Sequence, residues 1–125
     1  MNGSKAKVLI IDDDEQILRL LKRIIEAKGL KCITCQSAKE ALAILPASAI
    51  KVALIDIFMP EMSGLELMKH FQKVIPSLHV IMITGSNDVE IAQECMRQGA
   101  RDFITKPFDM EYLETSVLAE IIPLI

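Results

Sequence analysis

Apolar runs of strand length recur along the chain at 8–11, 32–35, 52–55, 80–83 and, more briefly, 103–104. Between them the apolar positions fall at helical spacing, as in Ile17, Leu18, Leu21, Ile24 and Ile25, or Leu65, Leu67, Met68, Phe71 and Ile75. Helix starts are punctuated. Ser37 with Glu40, Ser63 with Glu66 and Asn87 with Glu90 have capping-box spacing, Asp13 with Gln16 offers a cap for the first helix, and Asp109 one for the last. Gly29 and Gly99 sit past helix ends, and Pro46 and Pro76 forbid continuation. The pattern predicts five strand-helix units.

Alternating strands and helices imply a parallel sheet, because parallel strands need crossover connections, and these run over both faces. The first, third and fourth runs are apolar at every position, as expected of strands covered on both sides. Sheets of this kind bind ligands beyond the carboxyl ends of their strands.

A chain of 125 residues is one domain's worth, read here as 1–125 with a core over about 7–122. Its 51% hydrophobic and 25% charged residues exclude disordered and low-complexity classes. The mean hydropathy of +0.35 raises the question of a membrane, but no run approaches the ~18 uncharged apolar residues of a spanning helix. A net charge of −3 with 4% aromatics argues against nucleic-acid binding by this domain, which needs a basic face. Residues 1–7 lack the pattern of a secretory signal. Three cysteines in such a chain fit reduced thiols, so the protein is expected to be cytoplasmic. Cys32 and Cys35 form a CxxC, but on a strand residues three apart point to opposite faces, and both read as buried apolar side chains. His70 and His79 are expected to be solvent-facing or partly buried, and the seven methionines to fill core and connectors.

The strand ends carry the chemistry. Asp12, Asp13, Asp14 and Glu15 follow the first run, Asp56 the third, Thr84 the fourth, and Thr105, Lys106 and Pro107 the fifth. Asp14 and Glu15 are explained by helix capping and the macrodipole. Asp12 and Asp13 facing Asp56 are not: at ~6 Å and an effective dielectric of about 20, each pair of carboxylates repels by nearly 3 kcal/mol before screening. Asp56 would also sit uncompensated in an apolar run, at a large desolvation cost. The three aspartates with Lys106 sum to −2, the charge one hard divalent cation matches. All-oxygen ligation by few protein groups suits Mg²⁺. A carboxylate held there beside an ammonium and a hydroxyl is equipped to accept a phosphoryl group as nucleophile.

These residues resemble the response-regulator receiver domains of two-component signalling. The likeness is carried by the apolar run ending in Asp12-Asp13, by Asp56-Ile57-Phe58-Met59-Pro60-Glu61-Met62-Ser63-Gly64, by Ile83-Thr84-Gly85, and by the segment from Gly99 to Phe108 with its Thr105-Lys106-Pro107-Phe108 end. It implies a flavodoxin-like doubly wound α/β fold, (βα)5, with a five-stranded parallel sheet of order 2-1-3-4-5 and helices on both faces. It further implies that Asp56 is the phosphoacceptor, that Asp13, with Asp12 through water, and the Phe58 backbone carbonyl bind Mg²⁺, that Thr84 closes on the phosphoryl group, and that Lys106 is the ion-pairing lysine before a cis Pro107. Phe103 matches the aromatic switch position.

The implied function is a phosphorylation-operated switch. A sensor histidine kinase or phosphotransfer protein donates to Asp56, and the surface of the fourth helix, fifth strand and fifth helix changes to control an output, with a homodimer through that face as a further expectation. Such a domain is a regulator that assists its own phosphorylation and dephosphorylation, not an enzyme acting on other substrates. Gly85 stands where the family often has Ala, and Phe58 is bulky where polar residues are also common; the two pull the lifetime of the phosphorylated state in opposite directions. Three other readings are weaker. An Asp-nucleophile phosphatase wants a second Asp where Phe58 stands, a flavin-binding module would have its phosphate repelled by residues 12–15, and a non-phosphorylated interaction module leaves the acid, Thr and Lys set without a use.

Overall fold

The computed structural model describes residues 7–44, 49–85 and 87–124, apart from the Leu124 side chain. The reading of residues 1–6 and the Pro46 helix stop lie outside the described residues. Five parallel strands, β1 (Val8–Ile11), β2 (Cys32–Cys35), β3 (Val52–Asp56), β4 (His79–Gly85) and β5 (Asp102–Lys106), form one sheet in the order β2-β1-β3-β4-β5. Between them run α1 (Glu15–Glu26), α2 (Ala38–Ile44), α3 (Gly64–Val74) and α4 (Val89–Arg97). A last helix, α5, is α-helical over Met110–Tyr112, widens to a π turn over Leu113–Val117, returns to α over Leu118–Ile121 and closes in a 3₁₀ turn at Ile122–Leu124.

The alternation of strand side chains sorts the core into two layers. Leu9, Ile11, Cys35, Ala53 and Ile55 pack with Ala41 of α2, Leu67, Met68 and Phe71 of α3, and Ala92 and Cys95 of α4. Val8, Ile10, Cys32, Val52, Leu54, Ile81 and Ile83 pack with Leu18, Leu21 and Ile25 of α1 and Leu113, Val117, Leu118 and Ile121 of α5. The sheet is thus covered on both faces, which is why β1 and β3 are buried along their whole length and apolar up to Asp56, the last residue of β3.

Cys32 and Cys35 lie in opposite layers, as their spacing on a strand requires, and all three thiols are free and buried. Burial pushes the Cys32 thiol up to about 12 and Cys35 up to about 11. The folded protein is therefore expected to resist alkylation by iodoacetamide at pH 8, whereas all three cysteines react in denaturant; intact mass checks this, and rapid alkylation of the native chain would contradict it.

The helix starts follow the predicted logic with two corrections. Ser63 accepts from the Glu66 amide and Ser37 from the Glu40 amide, both at 3.2 Å. Asp109 accepts from the Tyr112 amide at 3.1 Å. The first helix is capped by Asp14, not Asp13, through the Gln16 amide at 2.9 Å. A run of consecutive acids offers equivalent caps, and Asp13 is turned to the site instead. The fourth helix is capped at Asp88, not Asn87, with no side-chain cap bond, because the turn after β4 closes through Asp88 N–H to the Gly85 carbonyl. Gly29 and Gly99 take positive φ at their helix ends, as expected of helix stops. The methionine expectation holds for the buried Met59, Met68 and Met82, whereas Met96 and Met110 are exposed, their positions on α4 and α5 facing away from the sheet.

Gly64 opens α3 directly behind the strand that carries Asp56. Its amide donates to the Ile57 carbonyl at 2.7 Å, and a Cβ there would run into the Asp56 carbonyl and lie 2.8 Å from the Ile57 Cα. Both obstacles are backbone and cannot rotate away. Gly64→Ala is expected to destabilise the fold by about 2–3 kcal/mol in urea titration, in the range of overpacking changes; a change under ~0.5 kcal/mol would show that the loop yields freely.

Candidate functional site

Four strand ends build the site, and the ladders run one or two residues further than the apolar runs alone indicate. Asp56 is the last residue of β3, in register with Ile83, while Thr84 pairs with Thr105 and Gly85 with Lys106 at the ends of β4 and β5. Asp56, Thr84 and Lys106 are thus fixed by sheet hydrogen bonding, whereas Asp13 and Phe58 stand in the loops that follow β1 and β3. Asp12, one residue past β1, donates its amide to the Cys35 carbonyl at 3.1 Å, which extends the sheet to the site.

Asp12, Asp13 and Asp56 each place a carboxylate oxygen within 4.8 Å of the others. Asp12 is 0% exposed and Asp56 5%, while Asp13 faces solvent. The Lys106 ammonium lies 2.9 Å from Asp12 Oδ2 and 3.8 Å from Asp56 Oδ2. Asp12 Oδ1 accepts from the Asp14 amide at 2.8 Å, and Asp56 Oδ1 from the Phe58 amide at 3.2 Å. The ammonium approaches Asp12 Oδ2 outside hydrogen-bond geometry, so this fully buried oxygen is ion-paired but has no hydrogen-bond partner among the described residues. One lysine faces three acids, and the acids are undercompensated.

The electrostatics record that imbalance. Burial, then the neighbouring Asp12 charge, pushes the Asp56 carboxyl up to about 7 against the opposing pull of Lys106 and the Phe58 amide. Burial also raises Asp12. Lys106 is held above its ordinary value: burial alone would lower it, but contacts with Asp12, Asp56 and Asp13 outweigh that. A raised carboxyl among three acids that share one lysine is an environment that a divalent cation relieves. The donor set, oxygens only, fits such an ion.

Thr84 is 1% exposed, and its hydroxyl donates to the Gly85 carbonyl at 3.4 Å, a long bond that leaves it available to a better acceptor. Phe103 is half-buried against the layer that holds α2, α3 and α4. Phe58 is 50% exposed beside Asp56. The Lys106-Pro107 bond is cis, as the resemblance implies. His70 is exposed and His79 partly buried, both away from these residues in the fold. Two contacts have no signal in the sequence. Glu61, in the loop after β3, accepts from the Ala38 amide at the start of α2 at 3.3 Å, and the Tyr112 hydroxyl of α5 reaches the Asp102 carboxylate of β5.

A doubly wound 2-1-3-4-5 sheet with an acidic pocket and a lysine at its carboxyl edge is the flavodoxin-like class, which binds its ligands outside the carboxyl ends of the strands. The sequence matches the family described as "Response regulator receiver domain" over residues 8–118, and the chain belongs to that family. It is similar to the DNA-binding transcriptional regulator NtrC of Salmonella typhimurium, 39% identical over 104 residues that cover 83% of this chain and 22% of that protein. The NtrC of Proteus hauseri is 38% identical over 116 residues, 93% of this chain and 24% of the relative. The chain thus spans about a quarter of the length of these curated relatives. Among solved structures, the receiver domain of NtrX from Brucella abortus superposes with a TM-score of 0.84 at 33% identity, covering 92% of this chain and 96% of that one. A CheY-like receiver domain protein from Methanospirillum hungatei superposes with 0.85 at 31% identity, covering 97% of each. No helix among the described residues is long and apolar enough to cross a membrane.

Proposed function

We propose that the domain is a phosphoacceptor switch in which Asp56 takes a phosphoryl group from the phosphohistidine of a sensor histidine kinase or phosphotransfer protein. The N–P bond to the donor imidazole breaks, the P–O bond to an Asp56 carboxylate oxygen forms, and the leaving imidazole takes up a proton. The observation that carries this reading is the buried Asp56 carboxyl beside Asp12, Asp13 and Lys106 at the strand ends.

Asp12, Asp13 and Asp56, with the Phe58 backbone carbonyl, would hold Mg²⁺, and the bound ion would supply charge neutralisation for the phosphoryl oxygens. Lys106 would contribute the second positive charge, a role its ion pair with Asp12 supports. Thr84 exchanges its long bond to the Gly85 carbonyl for a phosphoryl oxygen, and Phe103 follows into the space it leaves. The population then shifts between two arrangements of the surface formed by α4, β5 and α5. That surface exposes Val89, Ile91, Met96 and Met110, apolar side chains that suit contact with an output partner or a second copy of the chain.

Incubation with Mg²⁺ and acetyl phosphate is expected to add one phosphoryl mass to the wild-type chain, none to Asp56→Asn, and none to either in EDTA. A wild-type chain that stays unmodified overturns this reading in favour of an interaction module that does not use the phosphoryl group.

A further inference from the structure

The sequence contains a single tyrosine and no tryptophan, and that tyrosine stands beside the proposed switch. The Tyr112 hydroxyl, in the first turn of α5, lies 2.8 Å from Asp102 Oδ2 and 3.0 Å from Oδ1, donating its one proton into the carboxylate. Asp102 Oδ1 also accepts from the Phe103 amide at 2.8 Å. One carboxylate thus joins the backbone of the aromatic residue on β5 to the side chain of the last helix. Phe103, Phe108, Tyr112 and Leu113 line a groove of about 260 Å³ between that strand and helix. Both Asp102 and Tyr112 keep contact with solvent, Tyr112 at 40% exposure, so the link can open without exposing a core.

We propose that Tyr112 is a positioning residue for the switch: through Asp102 it ties the first turn of α5 to the Phe103 backbone and holds Phe103 in its half-buried place until Asp56 is phosphorylated. This rests on the reading of Phe103 as the aromatic that moves. Asp109 supplies the rest of the fastening, since its carboxylate accepts from the Tyr112 amide and fixes the turn from which the phenol projects. Loss of the hydroxyl frees Asp102 from the helix while leaving the apolar packing of the ring. Opening the clasp therefore loosens Phe103 and the α5 surface together, which is the change that phosphorylation is proposed to produce.

The sole tyrosine makes the clasp directly visible. Burial, then the hydrogen bond and charge of Asp102, with a further contribution from Glu120, pushes Tyr112 up to about 12. Ultraviolet titration of the wild-type chain is expected to give that value, and Asp102→Asn to move it toward the ordinary one near ~10. In Tyr112→Phe, hydrogen exchange of the Phe103 amide and of the first turn of α5 is expected to quicken about tenfold in the unphosphorylated protein, with β1 and β3 unchanged, as loss of a hydrogen bond to a charged group allows. The same variant is expected to take up the phosphoryl group from acetyl phosphate about three- to tenfold faster than wild type, for the same reason. A wild-type tyrosine that titrates near ~10 removes the clasp, and Phe103 exchange unmoved in Tyr112→Phe overturns the coupling. If the wild-type chain takes up no phosphoryl group, the reading of Asp56 fails, while the exchange of Phe103 still decides the role of Tyr112.

Discussion

Asp56→Asn is expected to make the metal-free protein more stable at neutral pH, although it removes the proposed phosphoacceptor. The folded Asp56 carboxyl lies at about 7, against ~3.9 in an unfolded chain. For an acid raised on folding, the cost of ionising it in the native state is absent below the unfolded value and fully present above the folded one. Stability contributed by the neutral acid is therefore lost as pH rises from about 4 to about 7. Asp12, also raised, adds in the same direction.

Asn keeps an oxygen for the Phe58 amide and removes a buried charge, so the variant should gain on the order of 2 kcal/mol at pH 7.5 in EDTA and little at pH 4. Urea titration at the two pH values checks this. Mg²⁺ should then stabilise the wild type by mass action and the variant less, because one ligand is lost. A variant less stable than wild type at pH 7.5 would mean that the carboxylate is compensated in a way the Lys106 distance does not suggest.

Lys106→Met is expected to act in the opposite direction. Its ammonium is paired with Asp12 at 2.9 Å and lies 3.8 Å from Asp56, and Asp12 is completely buried. Removing one partner of a buried pair leaves the other uncompensated, a change that costs about 3 kcal/mol. With Lys106 gone, the Asp12 and Asp56 carboxyls move further up, so the loss should be largest above pH 7 and shrink toward pH 4. The double variant with Asp12→Asn should recover a good part of it, since two residues in one network do not add. Phosphoryl uptake should fall by tenfold or more even where the variant is fully folded, because a positive charge at the transferring group is lost. Additive effects in the double variant would contradict the pairing.

The parts of this molecule that were legible in the sequence are those where one physical constraint acts alone. β1 and residues 52–55 of β3 stand out because both of their faces are covered, leaving no polar position before Asp56. β5 was faint because it lies at the end of the sheet, where Asp102, Thr105 and Lys106 are only partly buried. The convergence of Asp12, Asp13, Asp56 and Lys106 followed from parallel strands delivering their ends to one edge, and the structure places all four there. The sequence does not distinguish Asp13 from Asp14 as the cap of the first helix, because the acidic run provides one cap and one member of the acidic cluster from adjacent, chemically identical side chains. The Thr84 hydroxyl direction, the Glu61 contact with α2 and the Asp102–Tyr112 clasp were invisible because each depends on how elements sit against one another, and no periodicity encodes that.

In the proposed switch one carboxylate of this chain, Asp56, carries the phosphoryl group. An acyl phosphate is reduced by borohydride to an alcohol, whereas a free carboxylate is not, so phosphorylation with Mg²⁺ and acetyl phosphate followed by reduction and peptide mass analysis marks the residue itself. Homoserine in place of aspartate at position 56 alone is the result expected. Homoserine at position 12 or 13, or none anywhere in a chain that had gained the phosphoryl mass, would contradict it.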